Sequence, residues 1–247
     1  MTFSAVLHAE WIKIRSVRAL GSALLAVFFA TVVFSLLGSA TIGHEDAGKP
    51  GFDPVLALFF GLNFGQIAAI CFGATAVTSE YGSGAIRTSL TAVPRRGLFY
   101  AAKLSVIGVL ACAVGLMTGL ACFLGGQTLI GAPGGGVGEP GGLRAAVGCA
   151  LYLTLITLFA AGLAVVLRSG PAVMGILIPF LLLVSFVIGD VNHGAGLGDF
   201  LPDRAGQQVL LQHPTGSLGP WSGLAVTAGW AAAAVSAGWA ALRRRDV

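Results

Sequence analysis

Apolar residues along this chain gather into six long runs, and every charged side chain lies outside them. The runs are Ala19–Ile42, Val55–Thr78, Leu104–Ile130, Ala145–Leu167, Ala172–Gly189 and Trp221–Leu242, and none contains Lys, Arg, Asp, Glu or His. A bilayer core takes about 20 apolar residues per helical crossing. The pattern therefore predicts an all-α polytopic membrane protein with six transmembrane helices. The stretch before the first run has a different rhythm. Phe3, Val6, Leu7, Trp11, Ile14 and Val17 follow the i, i+3, i+4 spacing of one helix face, with Lys13 and Arg15 off that stripe. Residues 1–18 thus read as an interfacial amphipathic helix with Trp11 at headgroup depth. Glu10 falls inside the apolar stripe and needs a cationic partner. Lys13, three residues on, is the local candidate.

The hydrophilic stretch 79–103 carries the most information. Glu80 stands where the second run ends, and Ser83 is placed to cap a short helix. Ile86, Leu90 and Val93 form an i, i+4, i+7 stripe opposite Arg87, and Pro94 stops the helix because the residue before a proline avoids the α region. Arg95, Arg96 and Lys103 read as anchors of the next span. The result is a short helix with an apolar stripe and a cationic border. It is either an ordinary topogenic loop or a docking element for a soluble partner.

Elsewhere the chain is plainer. Asn63 and Gln66, three apart on one face of the second run, either hydrogen-bond between helices or line a substrate path. Gly61, Gly65 and Gly73 suit close approach of a neighbouring helix. Pro171 opens the fifth run, and Pro179 is expected to kink it. Residues 131–142 (GAPGGGVGEPGG) form a low-complexity loop. The middle of the last long loop, residues 199–212, is expected to be a short helix lying on the membrane surface through Phe200, Leu201, Val209, Leu210 and Leu211. The stretch 43–50 (GHEDAGKP) imitates a phosphate-binding loop, but Pro50 occupies the position of the magnesium-binding hydroxyl, and a span rather than a strand precedes it.

Composition narrows the class. The chain is 56% hydrophobic and 10% charged, against about 25% charged for a soluble domain. Basic residues are asymmetric. Lys13, Arg15, Arg18, Arg87, Arg95, Arg96, Lys103, Arg168 and Arg243, Arg244 and Arg245 share one set of loops and tails with three acidic residues, Glu10, Glu80 and Asp246. The alternate loops hold three basic and seven acidic residues. Cationic segments stay in the cytoplasm, so both termini are expected inside. These cations report topology; nucleic-acid binding would need a soluble basic surface. The four cysteines all lie within runs, as packing residues, and the scattered histidines suggest no metal site. No catalytic constellation is visible. The absence of intramembrane charge counts against a proton-coupled carrier, so energy for any transport is expected from another polypeptide. A stand-alone carrier or channel, or a membrane sensor that recruits a cytoplasmic partner, remains the alternative.

Taken together, the Glu10-Trp11-Ile12-Lys13-Ile14-Arg15 helix, six spans, and the segment Glu80-Tyr-Gly-Ser-Gly84-Ala-Ile86-Arg87 running on to Pro94, Arg95, Arg96 and Lys103 resemble the permease subunit of a bacterial ABC-2-type ABC transporter. The resemblance covers essentially the whole chain as one transmembrane domain, 1–247. It implies that the loop after the second span supplies a coupling helix for an ATP-binding subunit, with Glu80, Gly84 and Arg87 matching the recurrent positions and Ile86, Leu90, Val93 and Pro94 completing the helix. It also implies a second permease copy, as homo- or heterodimer, two ATP-binding subunits, a bacterial plasma-membrane location and export. ATP and magnesium would sit on the partner, and this chain would bind no cofactor.

Overall fold

The computed structural model describes residues 2–43, 53–93, 95–130, 141–184, 196–212 and 217–244. The imitation phosphate loop, most of the Gly-rich loop and Pro94 lie outside the described residues. Among the described residues there are helices and turns and no strand. The described residues form ten α-helices, in order α1 Phe3–Ser16, α2 Arg18–Gly38, α3 Pro54–Leu58, α4 Leu62–Gly82, α5 Ala85–Ala92, α6 Arg96–Ile130, α7 Gly142–Leu167, α8 Gly170–Pro179, α9 Pro202–Gln207 and α10 Pro220–Arg244.

Among the described residues, five helices are long and apolar enough to cross a membrane: Arg18–Thr41, Leu62–Gly82, Arg96–Leu129, Gly142–Leu167 and Pro220–Arg244. Of the expected fifth run, residues 172–184 are described, as a helix that opens at Gly170. Ser169 caps α8 by accepting from the Ala172 N–H at 3.4 Å, and the proline-opened helix continues to Pro179. There the α pattern gives way to a π-helical turn, Phe180–Val184. A proline ring has no N–H and crowds the carbonyl four residues back, so the change of helix type falls where the kink was expected. Residues 185–195 lie outside the described residues.

The second run is also divided. Asp53 accepts from the Val55 and Leu56 N–H groups, each at 3.0 Å, and caps α3. The chain then turns through Phe59–Gly61 before α4 begins. Ser35 of α2 receives the Gly61 N–H at 3.0 Å, so the break leaves that donor satisfied inside the bundle.

The core centres on α7, which packs against α4, α6 and α10. In their most apolar stretches 61% of α7 is buried but only 22% of α2, so α2 is peripheral and turns Leu25, Phe29, Val33 and Leu37 outward. Small residues set the closest approaches. A Cβ at Gly65 would collide with Thr31 of α2, and one at Gly73 would collide with the Thr157 carbonyl of α7. The glycines marked in the sequence therefore do admit neighbouring helices.

Helix α6 is 35 residues long, about 52 Å at 1.5 Å per residue, against about 30 Å of hydrocarbon. It begins at Arg96 rather than at Leu104. Its first two turns form the platform on which α1 lies, through Val6, Val93, Phe99 and Ala102 with Leu7, Leu90 and Leu98 around them.

At the opposite end, the last loop corrects an expectation. It forms a 3₁₀ turn Leu197–Phe200, α9, and a second 3₁₀ turn Gln208–Leu210. It does not lie flat on the surface. Ala205 and Val209 are fully buried and Leu210 nearly so. The Thr227 hydroxyl donates to the Pro202 carbonyl at 2.8 Å and the Trp230 indole to the Phe200 carbonyl at 3.0 Å. A Gly206 next to Tyr152 and Thr227 lets the loop sink between α7 and α10, where Val209 and Leu210 bury apolar area, while Phe200 stays exposed.

Gly73→Ala is expected to destabilise the protein by about 1–3 kcal/mol, because the obstruction is backbone. Gly82→Ala, which meets nothing within 4 Å, is expected to be neutral. Thermal unfolding in detergent, followed with a thiol-reactive dye on the buried cysteines, separates the two.

Candidate functional site: a buried charge cluster beneath the short helix

Four charged side chains from three helices converge where α1 crosses the bundle. On α1 the spacing 6, 10, 14 puts Val6, Glu10 and Ile14 on one face, and these are the helix's buried residues. Glu10 therefore enters the protein among apolar neighbours, at 1% exposure. Glu80 comes from the last turn of α4. A carboxylate there opposes the helix dipole and requires compensation. Lys103 comes from α6 at 4% exposure. Lys13, one turn beyond Glu10, closes the group from the solvent side.

The distances describe a neutral lattice of two carboxylates and two ammonium groups. Lys103 Nζ lies 2.7 Å from Glu10 Oε2 and 2.8 Å from Glu80 Oε1. Lys13 Nζ lies 2.6 Å from Glu10 Oε1 and 3.1 Å from Glu80 Oε1. The Phe99 ring sits beneath both ammoniums, 5.5 Å from Lys13 and 5.4 Å from Lys103, a cation–π arrangement that lowers the cost of desolvating them. Lys13 Nζ also donates to Ser89 Oγ at 2.9 Å. Ser89 in turn donates to the Ala85 carbonyl at 2.8 Å, so the short helix α5 is tied to the cluster. Burial by itself would lower the Lys13 pKa, but the Glu10 and Glu80 carboxylates outweigh it and hold the value above the ordinary 10.5.

Helix α5 differs from its sequence reading in two ways. Its N-cap is Gly84 at φ +72°, a left-handed conformation suited to glycine. Ser83 does not cap it: that hydroxyl donates back to the Ser79 carbonyl at 2.8 Å and ends α4. The apolar stripe also points inward. Ile86 and Val93 are buried and Leu90 is partly buried against α1 and α6. The face left to solvent carries Arg87, Thr88, Thr91 and Ala92. A two-turn helix on a protein surface buries its apolar stripe on its own bundle first, because that surface is always present.

The remaining sequence candidates separate. Trp11 and Arg15 are exposed on α1. Lys103, read in the sequence as an interface anchor, is instead a buried member of the cluster. Its partners lie 23 and 93 positions away, and no local pattern marks them. Ser89 and Phe99 were also missed. One signal was available: Glu10 and Glu80 each adjoin apolar runs and so demand buried cations.

Asn63 and Gln66 lie near the other end, and they part company. Gln66 is buried and accepts a short hydrogen bond from the Tyr152 hydroxyl of α7, which is a helix-packing role. Asn63 is exposed and accepts from Gln207 Nε2 of α9 at 3.2 Å. Around them Arg144 donates to the Leu211 carbonyl, and Asp53 accepts from the Gln212 N–H at 2.7 Å. These bonds form a polar collar that holds the last loop in place.

A family model described as ABC-2 family transporter protein matches residues 6–189, which include the whole charge cluster and α5. No curated protein matches the chain.

Lys103→Met is expected to cost about 3–5 kcal/mol by leaving buried carboxylates under-compensated. Adding Glu80→Gln is expected to recover part of that loss, read as a coupling energy in a double-mutant thermal-unfolding cycle. A raised lysine pKa contributes stability that is complete below the ordinary value and is lost as pH rises through the folded value. The melting midpoint is therefore expected to lose the Lys13 contribution only above about pH 10.5. Lys13→Met is expected to remove that alkaline component, measured by pH-stepped melting of the two proteins.

Proposed function

The chain belongs to the ABC-2 transporter family, and from that premise we propose that it couples ATP hydrolysis on a separate subunit to export through α5 and the charge cluster beneath it. As a member of that family it is a multi-pass membrane permease of an ABC transporter, associated with an ATP-binding subunit. In the proposed assembly two such subunits and a second permease copy complete the transporter. Both termini lie in the cytoplasm of a bacterial cell, and α1 and α5 lie on the inner side of its plasma membrane. ATP and magnesium are held by the partner, and this chain supplies the path.

The observation that carries the proposal is the connectivity of the cluster. The exposed face of α5 (Arg87, Thr88, Thr91) is the docking face. Its inward face is bound through Ser89 to Lys13, and Lys13 and Lys103 clamp α1, α4 and α6 together. A displacement of α5 is therefore delivered to two long apolar helices at once. Packed interfaces move as discrete rigid shifts and do not deform smoothly, so such a displacement rocks the spans. Ile86, Leu90 and Val93 hold α5 to its own bundle and contribute to docking only by positioning it. Asn63, on the outward face of α4 beside Phe60 and Phe64, is assigned to the side that meets the second copy or the substrate path. An amide in contact with hydrocarbon would be costly.

The test uses the tagged chain co-expressed with its ATPase and purified in mild detergent or nanodiscs. Arg87→Glu with Thr91→Asp is expected to leave the melting midpoint unchanged while lowering recovered ATPase by at least about tenfold. Leu90→Asp is expected to lower the melting midpoint as well. Undiminished ATPase recovery with the double outward variant would move the function to a stand-alone carrier or sensor.

A further inference from the structure

Alongside the cluster, α1 and α6 leave an open groove of about 410 Å³. Its walls are Leu7 and Trp11 of α1 and Val106 and Val109 of α6, with Ser105 beside them on α6. Ser4 and His8 stand at its rim. We propose that this groove is a binding site for one glycerophospholipid of the leaflet on the α1 side, with an acyl chain along the α6 wall and the phosphate at the rim.

Depth and chemistry select this occupant. Val109 is 66% exposed and lies six residues beyond Lys103 on a continuous helix, about 9 Å further in. One end of the groove is therefore among hydrocarbon and the other at the interface where the charge cluster sits. A soluble partner cannot reach the Val109 end, and a free phosphate would leave the apolar walls uncovered. An amphiphile matches both ends. At the rim the groups are donors: the Ser4 hydroxyl and the His8 imidazole. Trp11, 43% exposed, has the amphipathic ring favoured at headgroup level.

The site has a mechanical consequence. One face of α1 carries Glu10 into the charge cluster, and the adjacent face lines the groove. A lipid seated there braces α1 against α6 without touching an ion pair. The inference rests on the membrane placement of α6 and is independent of what docks on α5.

Native mass spectrometry of the full-length chain, released from nanodiscs of phosphatidylcholine and phosphatidylglycerol, tests the proposal. Wild type is expected to retain one phospholipid under activation that strips the annular lipids. Ser105→Trp fills the groove and is expected to lose that adduct, while Met117→Trp, at an exposed position further along α6, keeps it. His8→Ala is expected to lower the retained fraction about fivefold, as for one lost hydrogen bond. Equal retention by wild type and Ser105→Trp would overturn the proposal. Efficient disulfide cross-linking between Ser4→Cys on one copy and Ser105→Cys on another in the membrane would also overturn it, since a second chain would then occupy the groove. A second readout does not depend on the filled variant. The part of the wild-type tryptophan emission quenched by lipids brominated near the headgroup is expected to fall markedly in Trp11→Phe, and an unchanged quenched fraction would count against lipid in the groove.

Discussion

Two carboxylates and the Lys103 ammonium, buried beneath α5 and closed on the solvent side by the partly exposed Lys13 ammonium, are the constraint on which this end of the molecule depends. Bringing four charges into an apolar setting costs several kcal/mol per ion before any attraction is counted. The arrangement is tolerable because it is neutral, because Lys103 and Lys13 each contact both carboxylates, and because the Phe99 ring lies under both cations. Such a cluster contributes little net stability compared with a well-packed apolar core. What it supplies is geometry: only one placement of α1, α4 and α6 satisfies all four charges together. The interfacial helix, the end of one span and the start of another are thereby locked to one another.

That geometry gives the short helix its leverage. An eight-residue helix is too short to be stable on its own, so α5 takes its position from what it packs on. Ile86, Leu90 and Val93 seat it, Gly84 allows the reversal out of α4, and Ser89 joins it to the cluster. Arg87, Thr88 and Thr91 are left for a partner. The opposite end of the bundle is built differently. There single hydrogen bonds hold the last loop: Asn63 with Gln207, Thr227 with the Pro202 carbonyl, Arg144 with the Leu211 carbonyl and Asp53 with the Gln212 N–H, while Gln66 and Tyr152 join α4 to α7 beside it. The two ends thus have contrasting chemistry, with charges paired to one another at the α1 end and single hydrogen bonds around sunken apolar side chains at the other.

Much of this architecture was legible in the chain. Runs of about twenty apolar residues mark the long helices without reference to any partner. Proline marks the change of helix type at Pro179, and the glycines at 65 and 73 mark the close helix contacts. The amphipathic period of α1, the misfit of Glu10 within it, and the short helix before Pro94 were equally visible. The sequence was misleading where a local rule had a stronger long-range competitor. Ser83 had the chemistry of a cap, but the left-handed turn at Gly84 placed its hydroxyl on α4. Lys103 had the position of an interface anchor, but two carboxylates recruited it into the interior. The apolar part of the last loop had the look of a membrane-surface helix, but a cleft between α7 and α10 offered greater burial.

By itself, then, the sequence determined the elements, the class of environment they require, and the fact that Glu10, set within an apolar stripe, needed a cation. Those properties are set by transfer free energies and helical periodicity, which act over a few residues. Tertiary structure alone decided which cations met Glu10 and Glu80, which face of α5 stayed outside, and that Gln66 packs while Asn63 faces outward. Each of those outcomes depends on groups tens of residues apart meeting at about 3 Å, and a hydrophobic pattern carries no information about distance between separate helices.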